Sequence, residues 1–126
     1  MTRMPFQYVV LRCVPRVDRE EFVNVGVVLY CQQADFLSCA SHVDRSRLAA
    51  LSTEVDADAV CSALEAVEAV CRGDSSAGEA GREALGTRFG FLKAPRSTVV
   101  QPGPVHGGTT DDPARQLEHL LDRLVR

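Results

Sequence analysis

The residues best suited to chemistry cluster near the N-terminus: Arg12, Arg16, Arg19, Glu21 and Asn24. Arg12 interrupts an apolar run, and a guanidinium buried without a partner is costly. Glu21 or Asn24, on the segment that follows, would supply that partner. Two readings stand side by side. In one, Arg12 and Glu21 form a structural ion pair that locks the register of a hairpin. In the other, Arg12 holds an anion or a substrate. Asn24 and Gly26 raise a second question. Asn is disfavoured in mid-strand, and Gly there marks a bulge or a close backbone approach. Together they leave a shallow polar spot between Phe22 and Tyr30 that suits a ligand or a partner's backbone. Equally, Gly26 makes room for a helix of the same chain.

A second constellation spans Arg96 to Asp112 and contains Ser97, His106, Gly107, Gly108, Thr109, Thr110 and two aspartates. A Gly-rich turn before a helix N-terminus is an anion site by construction. This segment has neither the P-loop nor the dinucleotide pattern, so a helix-capping loop is the competing reading. Nucleophilic catalysis needs a base beside a Ser or Cys. His42, His106 and His119 are on offer, but no spacing joins His106 to Ser97 or to a cysteine. No C-x-x-C or H-x-x-x-H pair occurs, so neither a metal nor a cofactor is expected. Glu20-Glu21 and Asp111-Asp112 read as a loop and a helix cap.

These residues need elements to hold them. Phe6 to Val14 is a predicted central strand with Phe6, Tyr8, Val10, Arg12 and Val14 on one face and Val9, Leu11 and Cys13 on the other. Glu21 to Cys31 is a second strand. Strict alternation puts Val23, Val25, Val27, Leu29 and Cys31 on its core face, and Phe22, Asn24, Gly26, Val28 and Tyr30 opposite. Phe36 to His42 is a third, and short connections make the three an antiparallel meander. Asp44 caps a helix through Leu51. Asp56 caps one to about Arg72, which Gly73 ends. Thr87 to Leu92 is short and aromatic, Ser97 to Gln101 is a fourth strand, and Pro102 to Gly108 is a loop. Leu117, Leu120, Leu121 and Leu124 stripe a final helix that Asp112 or its neighbours cap and Pro113 opens. The expected fold is α+β: an antiparallel sheet, with helices mainly on one face, forming a single domain over residues 1–126.

Composition narrows the function classes. The 126 residues are 45% hydrophobic and 25% charged, as in ordinary globular domains. No run of about 20 apolar residues exists to span a membrane, and Met1-Thr2-Arg3-Met4-Pro5 does not open a signal peptide. A net charge of −3 offers no bulk field for nucleic acid. Thirteen arginines face one lysine, Lys93, and only Arg carries a rigid bidentate fork. Cys13, Cys31, Cys39, Cys61 and Cys71 are odd in number and widely spaced, which points to reduced thiols and a cytoplasmic location.

Two blocks carry a family resemblance. Tyr8-Val9-Val10-Leu11-Arg12-Cys13-Val14-Pro15 is followed by Arg19-Glu20-Glu21-Phe22-Val23-Asn24-Val25-Gly26-Val27-Val28-Leu29. The later block holds Arg88-Phe89-Gly90, Ala94-Pro95-Arg96-Ser97-Thr98, Pro104-Val105-His106-Gly107-Gly108 and Asp112-Pro113. Together they resemble the bacterial family called Domain of Unknown Function 3037, over nearly the whole chain. Glu20 departs from the pattern, where Gly or another small residue is expected. Genes of that family often lie beside a HipA-like kinase, so the resemblance implies a protein partner of that kind. The chain has no kinase motifs of its own. The expectation is an interaction or accessory module, leaning away from an enzyme. The alternative is an anion-binding protein or enzyme using Arg12, Glu21, Asn24 and Gly26 with Arg96 and His106. The oligomeric state is left open.

Overall fold

The computed structural model describes residues 2–96 and 98–126. Its centre is an antiparallel five-stranded sheet in which β1 (Met4–Cys13) pairs on both sides, as its apolar faces predict. On one side lies β2 (Val23–Cys31), and beyond it β3 (Phe36–Ser41). On the other side β4 (Val100–Pro102) pairs with residues 11–13, and β5 (His106–Thr110) pairs with residues 4–8. Gly103 bridges the gap by donating its N–H to the Val10 carbonyl at 2.8 Å. β4 and β5 therefore form one interrupted border along β1.

The β1–β2 ladder slips between Leu11 and Arg12: Leu11 pairs with Gly26, but Arg12 pairs with Asn24. Val25 is the extra residue of a β-bulge. This overturns the strict alternation expected of β2. Val23, Val25, Val28 and Tyr30 face one layer, while Val27, Leu29 and Cys31 face the other.

Three helices cover the first face: α1 (Arg45–Leu51), α2 (Ala57–Arg72) and α3 (Leu85–Lys93). Leu48, Val60, Leu64, Val67, Phe89 and Leu92 pack there on Val9, Leu11, Cys13, Val25 and Val28. The fourth, α4 (Pro113–Leu124), lays Leu117, Leu120 and Leu121 on Phe6, Val27, Leu29 and Cys31 across the second face. The fold is α+β, with most helices on one face. The caps are those the sequence announces. Asp44 accepts from the Arg47 N–H, Asp56 from those of Asp58 and Ala59, and Asp112 from that of Arg115. Gly73 ends α2 with φ 71°.

Three segments differ from expectation. The stretch 87–92 lies within α3. The expected loop from Pro102 to Gly108 contains the start of β5, because glycine is what the register requires there. A Cβ on Gly108 would meet the Phe6 ring at 2.9 Å. Of the expected strand 97–101, Val100 and Gln101 are in β4, and Ser97 lies outside the described residues.

Candidate functional site

β1 presents Phe6, Tyr8, Val10 and Arg12 to the face that α4 covers. That helix packs over β2 and β3 and leaves the β1 half of the face partly open: Tyr8, Val10 and Arg12 are half-buried. Two stacks occupy this open half. The Tyr8 ring lies 5.3 Å from His106 and 6.1 Å from Phe6, centre to centre. One turn of pleat further along, the guanidinium carbon of Arg12 lies 3.9 Å above the centre of the Phe22 ring, a cation–π geometry.

Arg12 does not pair with Glu21, contrary to the structural ion pair the sequence suggests. Its guanidinium packs over Gly103, where a Cβ would approach Nη2 to 2.7 Å. Its Nε is buried and has no hydrogen-bond partner among the described residues. The guanidinium is thus packed against an aromatic ring and bare backbone, with no carboxylate on it among the described residues. Phe22 remains 43% exposed, so the stack opens to solvent.

Asn24, the cross-strand neighbour of Arg12, turns to the same face. Its Nδ2 donates to the Leu124 carbonyl at the end of α4 at 3.0 Å, and its Oδ1 is buried without a partner among the described residues. The bond ties the helix terminus to the edge of the open half. Arg47 adds a second tie, donating from Nη1 to the Val125 carbonyl at 2.7 Å. Both bonds satisfy carbonyls that a helix end leaves free.

The remaining expected site residues lie elsewhere. Glu21 is bonded to Arg19 at the surface, and that guanidinium holds its carboxyl below the usual range. It lines a shallow polar depression with Arg16, Leu51 and Glu54. Gly26 faces the opposite side from Asn24. A Cβ there would sit 3.1 Å from the Ala40 carbonyl oxygen and 3.5 Å from Leu64 of α2. Gly26 makes room for internal packing, and the polar spot between Phe22 and Tyr30 does not form. Arg96 stacks on Phe91 at 4.9 Å and donates to its carbonyl at 2.6 Å. That places it at the rim of an apolar groove of about 590 Å³ between α2 and the end of α3. The dyad of His106 with Ser97 falls on a residue outside the described ones.

Arg12, Asn24 and His106 therefore share one face, and Glu21, Gly26 and Arg96 do not join them. Two contributors were not singled out as site residues from sequence. Tyr8 was readable, since the period of two puts it on the face of Arg12. Gly103 was not, because its contact depends on how β4 borders β1. The open half is a surface, not an enclosed cavity. Among the described residues it has stacked rings, one uncommitted cation and no assembled acid–base pair.

The profile of a family described as Protein of unknown function (DUF3037) matches residues 8–125. No curated protein and no solved structure matches the chain.

Proposed function

The chain belongs to the DUF3037 family, and on that premise we propose that it is a single-domain interaction module of the cytoplasm. Its contact surface is the open β1 half-face: Tyr8, His106, Val10, Arg12 and Phe22. One observation carries this reading. Arg12 is positioned by Phe22 and Gly103 but neutralised by no acid among the described residues. Arg and aromatic residues dominate the energetics of protein interfaces when they form rigid, partly desolvated anchors. An acidic side chain flanked by apolar residues is the complementary feature on a partner, and it would complete the guanidinium's bonding. The absence of a membrane-crossing helix among the described residues fits a partner met in solution. A HipA-like kinase is the partner class implied by the family resemblance.

The enzyme or small-molecule reading needs its groups to converge. The commitment of Glu21 to Arg19, and the place of Arg96 at a groove on the opposite face, weigh against it.

Affinity capture from cells expressing the neighbouring genes tests the module. The expected result is a co-purifying protein that is lost with Arg12→Ala and with Phe22→Ala while circular dichroism is unchanged. Return of the chain alone, or a partner retained by both variants, refutes the reading.

A further inference from the structure

The two borders of the sheet are treated very differently. The β4–β5 border is blunted. It carries Pro102 and Pro104, is interrupted at residues 103–105, and has its outward Thr109 carbonyl occupied by Arg3 Nη2 at 2.6 Å. Prolines, irregularities and charged side chains are the usual protections of a sheet edge. The β3 border has none of them. Phe36-Leu37-Ser38-Cys39-Ala40-Ser41 contains no charge and no proline, and it pairs with β2 in unbroken register.

The register shows which backbone groups are free. His42 donates its N–H to the Val25 carbonyl at 2.9 Å, so residues 42, 40, 38 and 36 face β2. The N–H and C=O groups of Leu37, Cys39 and Ser41 point away from the sheet. Among the described residues no strand pairs with them. Helices flank this edge on both faces: α2 against Cys39 and Ser41, α4 against Phe36 and Ala40.

We propose that the β3 edge pairs antiparallel with the β3 edge of a second copy of this chain, joining two five-stranded sheets into one. The segment is self-complementary. Centred on Cys39, a two-fold axis sets Leu37 opposite the second copy's Ser41 and brings no like charges together. On α2, Glu68 takes the Ser41 hydroxyl at 3.4 Å and Arg72 lies 4.0 Å from Glu68. Arg72 also pairs with Asp74 at 3.0 Å, so the cation beside this border is held by acids of its own copy. The open β1 half-face lies away from this border, so a dimer would carry two copies of it. The pairing does not depend on the reading of that half-face.

Sedimentation of the full chain over a range of concentrations tests the pairing. The wild type is expected at twice 13.7 kDa. Cys39→Pro removes an outward N–H from the edge, and Ser41→Lys adds a charge to it. Each is expected to halve the mass with circular dichroism unchanged. A wild-type monomer at every concentration, or a dimer that persists in both folded variants, overturns the proposal. If the variants do not fold, amide exchange of the wild type decides. Protection of Leu37, Cys39 and Ser41 that rises with concentration supports the pairing, and fast exchange independent of concentration refutes it.

Discussion

Arg12 sits 3.9 Å above the Phe22 ring, with the backbone of Gly103 also against its guanidinium. A strand residue, the entrance of the next strand and a border loop together aim one cation outward. In a double-mutant cycle with Arg12→Met and Phe22→Leu, urea melts are expected to show a coupling of about 0.5–1 kcal/mol, the size of a half-exposed cation–π contact. Additive effects would mean the stack is not formed in solution. Gly103→Ala pushes a methyl into Nη2, the far end of a flexible side chain. It is therefore expected to weaken partner capture far more than it lowers the melting temperature.

Asn24 donates to the Leu124 carbonyl across the layer between sheet and helix. Asn24→Leu removes the donor and leaves a carbonyl unpaired, at an expected cost of about 1–2 kcal/mol. Amide exchange would place the loss at the end of α4. Protection there equal to wild type would rule out this tie.

Gly26 and Gly90 give opposite expectations for the same change. A Cβ on Gly26 meets the backbone oxygen of Ala40 at 3.1 Å, whereas one on Gly90 within α3 meets nothing within 4 Å. Gly26→Ala is expected to destabilise by about 1 kcal/mol or more as β2 and β3 shift apart. Gly90→Ala is expected to stabilise by about 0.5–1 kcal/mol through helix propensity. Thermal melts of the two variants read both signs.

Glu20 holds φ 55° after the short helical turn Val17–Arg19, a left-handed conformation costly for a residue with a Cβ. Glu20→Gly is expected to raise stability by up to about 1 kcal/mol. An unchanged or lower urea midpoint would contradict this. The same geometry explains why glycine is an expected type at this position.

The Cys71 thiol is buried under α2, and burial pushes it up from 9.0 to about 12. Cys39 and Cys13 are raised by burial as well. The unfolded chain loses these protons near pH 9 while the folded chain keeps them. The unfolded state then binds fewer protons, so stability is intact below about pH 9 and falls as pH rises toward 12. Urea midpoints on either side of pH 9 measure the slope, and Cys71→Val is expected to flatten it. An equal slope in the variant would assign the loss to other groups.

Much of this protein is determined by local sequence. Helix ends follow from Asp44, Asp56, Asp112, Pro113 and Gly73, because a cap is settled by a few neighbouring atoms. The faces of β1 and the apolar stripe of α4 follow from periodicity, since burial selects residues at the repeat of each element. Three decisions belong to tertiary structure alone. The bulge at Val25 depends on how β2 meets Leu11 and Arg12, and it sends Asn24 and Gly26 to opposite faces that strict alternation would merge. The partner of Arg12 is a ring and a glycine because β1 pairs with the segment that carries Phe22 and β4 borders β1, and both are relations between segments. The entry of β5 into the sheet rests on Gly107 and Gly108 lying close to Phe6, about a hundred residues away in the chain. Propensity counts such glycines as strand breakers, because it carries no record of the ring they must pass.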